Sequence, residues 1–226
     1  MQLAKIQLAR SIWLFDVQEL NPTGLSVASG FDNKFAERYN FKRLPKPEEL
    51  STGSASWGDG RFSFKDEHFD LAVQIHPDGV VADTRYNTDM SDLFIFDFIE
   101  WAATELQSPR RPRIRKRSYR SEIVLYANRG LAGLCDKLDS ISNAVGGMLQ
   151  APQEVSAIMF GSSTNIANFT FERRLNTPFE DNAFFSAALL TTSGHMELLS
   201  QIENMLEPEL IEQAPEQPKE EVVNEG

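Results

Sequence analysis

The sequence predicts an α+β protein, with helices packed on one face of a mostly antiparallel sheet. Three observations carry that expectation. Phe69, Leu71, Val73 and Ile75 alternate with Asp70, Ala72 and Gln74, the period-two pattern of a half-buried strand. His76-Pro77-Asp78-Gly79 follows as a hairpin turn, in which proline pre-sets φ, Asp bonds to nearby backbone and Gly accepts positive φ. Met90, Leu93, Phe94, Phe98, Trp101 and Leu106 then mark an apolar helical stripe, and strands and helices do not alternate one for one as a parallel sheet requires.

The remaining elements follow in order. Residues 1–16 read as a first strand, with Leu3, Lys5, Gln7 and Ala9 on one side and Ala4, Ile6 and Leu8 on the other. Trp13, Leu14 and Phe15 make a buried anchor, Asn21-Pro22-Thr23-Gly24 a turn, and Leu25 to Ala28 a short return strand. Residues 31–60 read as irregular, broken by Pro45 and Pro47 and ending in a Gly/Ser loop, 51–60, around Trp57. Within them Phe35 and Tyr39 would stack at i, i+4 on a helix. Asp89 is the expected cap of the helix that Ser108-Pro109 stops.

Glu122 to Tyr126 reads as a short central strand. Leu131, Leu134, Cys135, Leu138, Ile141, Val145 and Met148 give the next helix. Val155 to Phe160 and Ile166 to Arg174 form a second hairpin, followed by a compact apolar piece containing Phe179, Phe184 and Phe185. Thr192 or Ser193 caps a last helix carrying Met196, Leu199, Ile202 and Leu206. Residues 69–106 and 154–206 both run hairpin then helix, a coarse echo without sequence self-similarity. The expected organisation is one α+β domain over 1–206, with 108–118 as the place where two lobes would separate. A disordered acidic tail over 207–226 completes it.

Charge is distributed in contradiction to the total. The chain carries −11, yet Arg110, Arg111, Arg113, Arg115, Lys116, Arg117 and Arg120 place seven cations in eleven residues with no acid among them. The last stretch, 207–226, has seven Glu against Lys219 alone. A cationic strip on an anionic body concentrates its field locally. Net acidity argues against general coating of nucleic acid or anionic membrane, so nucleic acid would bind only at the strip. No run of about 18 apolar residues gives a membrane span, and the N-terminus lacks the apolar core of a signal peptide. With Cys135 as the one cysteine there is no intrachain disulfide framework, and a cytoplasmic location is the simplest expectation.

The preferred function is therefore a non-enzymatic binding or adaptor module that engages an anionic macromolecule, an acidic protein surface ahead of nucleic acid. Arginine forks suit phosphate and carboxylate, Tyr119 could stack on a base, and Trp57 would either be an exposed apolar anchor or fold back onto the core. The bland alternative is a solvated linker, or a strip paired with the protein's own acids. No helix-turn-helix, zinc-finger or RNA-recognition signature accompanies it. The second reading is a hydrolase or nuclease with Glu172 and Asp181 as a carboxylate pair held by Arg173 or Arg174, against a structural network anchoring the Pro178 loop. The third is a structural subunit of a larger assembly, joined through the last helix or an open sheet edge.

No cofactor is expected, since 51–60 lacks both a Gly-Lys-Ser/Thr ending and a G-x-G-x-x-G run. No metal is expected either, because His68, His76 and His195 have no ligand spacing. His76 reads as a turn residue and Cys135 as core. His195, near a helix start, would be held neutral by the helix dipole.

Overall fold

The computed structural model describes residues 1–20, 32–105, 111–127, 131, 136–153 and 155–206. The expected return strand 25–28, Arg110, Cys135 and the tail 207–226 lie outside those residues. The fold is α+β, built on one eight-stranded sheet in which every pairing is antiparallel. Its strands are β1 (Gln2–Leu14), β2 (Ala55–Phe64), β3 (Glu67–His76), β4 (Gly79–Thr84), β5 (Lys116–Tyr126), β6 (Ala157–Ser162), β7 (Asn165–Arg173) and β8 (Ala183–Ala188). The helices are α1 (Asp32–Arg38), α2 (Pro47–Ser51), α3 (Thr88–Glu105), α4 (Asp136–Leu149) and α5 (Thr192–Leu206).

The strand order β2-β3-β4-β1-β5-β8-β7-β6 reads the same from either end if each half is taken alone. In both halves a long strand is followed by helix, then by a three-strand meander, then by a helix. The echo noted between 69–106 and 154–206 is thus part of a larger repeat of chain path, in which β1 and β5 are the equivalent long strands. They pair with each other at the centre, from Gln2 opposite Tyr126 to Leu14 opposite Lys116.

Local differences from the sequence reading have physical causes. Register shifts at Leu3/Lys5 and Ile6/Leu8 break the strict sidedness expected of β1, so Gln7 is an extra residue bulged out of the centre of the sheet. The expected loop 51–60 is instead largely strand β2. Gly60 is demanded by close approach, because a Cβ there would strike the Phe41 ring, and Gly58 lies against the Arg43 guanidinium. Arg43 exchanges backbone hydrogen bonds with Gly58 at 3.1 and 2.9 Å, so this segment covers the outer edge of β2. The apolar piece with Phe184 and Phe185 is strand β8, whose near-continuous small and apolar run from Ala183 to Ala188 lacks the alternation that marks a strand.

Both helix caps sit one or more residues earlier than expected. Asn87 Oδ1 accepts the Met90 N–H at 2.9 Å, and Thr191 Oγ1 accepts the Gly194 N–H at 3.2 Å. That shift frees Thr88 and Thr192 for another task. The Thr88 N–H donates to Thr192 Oγ1 (3.1 Å) and the Thr192 N–H donates to Thr88 Oγ1 (3.0 Å), a reciprocal pair that joins the two helix starts. Beside it Ser11 Oγ donates to Thr88 O, and Ser91 Oγ donates to Ala9 O at 2.7 Å. These buried polar groups tie α3 and α5 to each other and to β1.

Two apolar cores lie on the helix-bearing face. The larger gathers β1 to β4 with α1 and α3 around Phe35, whose ring meets those of Tyr39, Phe41, Trp57, Phe98 and Trp101 at centroid distances of 4.9–5.7 Å. The expected Phe35–Tyr39 contact is among them, at 5.1 Å. Tyr39 Oη donates to Asp97 on α3 at 2.6 Å, and burial beside that carboxylate raises its pKa. The smaller core unites Ile123, Leu125, Phe169, Phe171, Phe184 and Leu199, with Phe171 stacked on Phe184 at 4.7 Å.

His195, in the first turn of α5, is fully buried against this second core. Its Nε2 lies 2.8 Å from Ser186 Oγ, which itself donates to Thr170 O at 2.8 Å, so the ring N–H points to the serine. Burial pushes its pKa down to about 4, and this, rather than the helix dipole, keeps it neutral. In the unfolded chain the same imidazole takes a proton below about pH 6.5.

Two outcomes follow from these buried groups. Thr88→Val or Thr192→Val orphans a buried N–H and lowers the unfolding free energy by about 1–3 kcal/mol in urea titration; no loss would remove the reciprocal pair from the stabilising contacts. The unfolded state binds the His195 proton between pH 6.5 and 4 and the fold does not. Stability is therefore complete above pH 6.5 and falls by up to about 3 kcal/mol as pH drops to 4. A His195→Gln variant shows a correspondingly flatter pH profile over that window.

Candidate anion-binding surface

The cationic strip is a connection over 111–115 and strand from Lys116 onward. Arg115 N–H donates to Leu14 O at 2.8 Å, and from Lys116 onward the segment is the first half of β5. Strand pleating then sorts its side chains. Tyr119, Ser121, Ile123 and Leu125 face the helices, whereas Lys116, Ser118, Arg120 and Glu122 face the side of the sheet that carries no helix.

Several of the strip's side chains are engaged within the protein. Arg111 forms an ion pair with Glu100 on α3. Arg117 lies over the Trp13 ring, its guanidinium carbon 3.8 Å from the centroid. Trp13 Nε1 donates to Asp92 Oδ1 at 2.7 Å, and Tyr119 Oη donates to Asp92 Oδ2 at 3.0 Å. Partial burial, with Asp92 adding to it, raises the Tyr119 pKa. Arg120 Nε lies 2.8 Å from Glu122. Asp92 thus fastens α3 to both central strands, and Tyr119 is a framework residue rather than a free stacking platform.

Arg113, Arg115 and Lys116 remain. All three are exposed and make no ion pair among the described residues. They project where the chain runs past the end of β1 into β5, with Ile114 packed on the larger core and the Arg113 N–H donating to Glu19 at 2.7 Å. Trp57 is not beside them: it is 1% exposed inside the larger core, so of its two expected places it takes the core and is no exposed anchor. The glycine and serine residues around it signalled a loop, but they serve a bulged strand.

The second sequence-derived cluster is brought together only in part. Glu172, Arg173 and Arg174 line a cleft of about 520 Å3 with Gln7, Val124 and Phe185, while Asp181, exposed in a 3-10 turn (Phe179–Asp181), is not among its walls. Arg173 reaches Asn182 Oδ1 at 3.4 Å and lies over Phe184, 5.2 Å from the ring centroid. Arg174 N–H and O bond to Ala183 O and Thr177 Oγ1. These contacts match the structural-network alternative for the loop around Pro178. Among the described residues no three His, Cys, Asp or Glu converge on a metal-sized space, and no helix is long and apolar enough to cross a membrane.

A second cleft, about 500 Å3, opens across the same helix-free face between β2, β3, β4 and β1. Lys42, Arg43, Arg61 and Arg85 meet Asp59 and Asp70 there. Gln7, the bulged residue of β1, lines both clefts. The sequence gives no sign of this cleft beyond the adjacent cations Lys42 and Arg43. Arg61 and Arg85 are distant in sequence, and only the sheet register unites them.

No protein-family model matches the chain, and no curated protein matches it. Among solved structures the chain is similar to Methanococcus jannaschii TBP, at 10% sequence identity and a TM-score of 0.43, over 91% of this chain and 97% of that one. A likeness of that degree assigns neither family nor function.

Tyr119→Phe removes the bond to Asp92 and lowers the unfolding free energy by about 1 kcal/mol, read by chemical denaturation, while leaving affinity for anionic ligands unchanged. Loss of affinity without loss of stability would return Tyr119 to the binding surface.

Proposed function

We propose that the protein is a non-enzymatic binding module that engages an anionic macromolecule through Arg113, Arg115 and Lys116. The observation that carries this reading is the division of the strip. Arg111, Arg117 and Arg120 find partners within the fold, whereas three neighbouring cations are exposed and form no ion pair among the described residues. A cation used only for structure gains from an ion pair or a ring; among the described residues the side chains of these three have neither, on a chain whose net charge is −11. Their field is therefore directed outward and meets a partner of opposite sign. Acidic protein segments and nucleic acid both satisfy that chemistry, and salt dependence with nucleic acid as probe separates them.

The test compares the full chain with an Arg113→Ser, Arg115→Ser, Lys116→Ser variant, using labelled DNA, RNA and a glutamate-rich peptide across a salt series. The intact chain binds at least one probe, and the variant loses at least tenfold in affinity. Its log-affinity against log-salt slope for nucleic acid becomes shallower by about two. Equal binding by both proteins would remove the strip from the function.

A second reading, a subunit of a larger assembly, is supported by α4. Ile141, Val145 and Met148 form an apolar row on that helix, exposed by 59, 39 and 86%, and the edge strand β6 presents Met159 and Phe160 at 57 and 61%. Light scattering of the intact chain beside an Ile141→Ser, Met148→Ser variant tests it: a larger species that the variant reduces to monomer supports assembly, and monomer in both removes self-association.

A further inference from the structure

The cleft between β2, β3, β4 and β1 holds more unneutralised charge than a framework needs. Lys42 and Arg43 come from the segment covering the sheet edge, Arg61 from β2, and Arg85 from the residue after β4. All four are exposed to the cleft and none forms an ion pair among the described residues. Arg61 and Asp70 sit directly opposite each other in the β2–β3 register, yet they too are not paired. The one carboxylate on this wall that is neutralised is Asp83, gripped by Arg10 through two bonds of 2.7 Å. Among the described residues, four cations outside any ion pair thus face two carboxylates outside any ion pair, Asp59 and Asp70.

The position of Asp59 is itself built. A bulge between Trp57 and Gly60 inserts it into β2 with φ at +53°, a left-handed conformation that non-glycine residues seldom hold, and it is exposed on the cleft. Gly60, too crowded for a side chain, packs against the Phe41 ring, and Gly58 lies under the Arg43 guanidinium. The walls of the cleft focus the field of the cations, and its volume suits a small metabolite.

We propose that this cleft is a binding site for a phosphorylated, hydroxyl-bearing small molecule. Guanidinium forks of Arg61 and Arg85, with Lys42 beside them, take the phosphate oxygens. Asp59 and Asp70, which only accept when ionised, take hydroxyl hydrogens of the carbon skeleton. An anion with no hydroxyls satisfies the first set alone, and a neutral sugar the second alone. The site is separate from Arg113, Arg115 and Lys116, so its occupation does not rest on the macromolecule reading.

The experiment is calorimetric titration of the full chain with ribose 5-phosphate, inorganic phosphate and ribose as probes. Ribose 5-phosphate binds one to one, at least tenfold tighter than either of the others. Arg61→Gln with Arg85→Gln weakens it at least tenfold. Asp59→Asn, whose side chain tolerates the left-handed backbone, erases the preference over inorganic phosphate. The Arg113→Ser, Arg115→Ser, Lys116→Ser variant binds ribose 5-phosphate as the intact chain does. Circular dichroism confirms that each variant is folded, as expected for exposed positions. No binding of ribose 5-phosphate by the intact chain overturns the proposal. So does unchanged affinity in the Arg61/Arg85 variant, equal affinity of the intact chain for inorganic phosphate, or loss confined to the strip variant.

Discussion

The antiparallel pairing of β1 with β5 is the constraint on which the rest of the structure depends. It joins two halves of the same chain path into one sheet, and it places both following meanders so that α3 and α5 start side by side. The reciprocal Thr88–Thr192 bonds are possible only at that point, because each helix start brings an orphan N–H to the other's hydroxyl. Asp92 and Arg117 act on the same pair one helical turn further along α3: the carboxylate receives Trp13 from β1 and Tyr119 from β5, and the guanidinium covers Trp13.

That seam also decides what the cationic strip can do. Because β5 must begin opposite Leu14, its first residues are drawn into the sheet and lose their freedom. Arg117 and Tyr119 are turned inward by the pleat, and Arg120 is turned outward beside Glu122. Only the residues ahead of the strand or at its first position escape both fates. A segment that the sequence shows as one block of charge is thus two groups with different physics, one that reinforces the framework and one that projects from it.

How much of this could be read from the sequence follows from how local each signal is. The β3–β4 hairpin was legible because Phe69 to Ile75 alternate without interruption and His76 to Gly79 carry their own turn chemistry. The stripe of α3 was legible for the same reason. The strand β2 was not, because Gly60 is dictated by Phe41, 19 positions earlier, and glycine by itself signals a turn. The caps were misplaced because Asn87 and Thr191 compete with equally good neighbours, and only the Thr88–Thr192 contact, 104 residues apart, decides between them. The charge of the strip was plain, but its partition was hidden, since Glu100, Trp13 and Asp92 reach it through tertiary packing.

The most direct measurement is side-chain NMR of the arginine Nε–Hε groups while a single-stranded oligonucleotide, and separately a glutamate-rich peptide, is added. If three free cations form the binding surface, the Arg113 and Arg115 signals shift with saturable dependence while those of Arg111 and Arg117, held by Glu100 and Trp13, stay in place. Uniform small shifts across all arginines, or none at all with either probe, would contradict a binding surface at the head of β5.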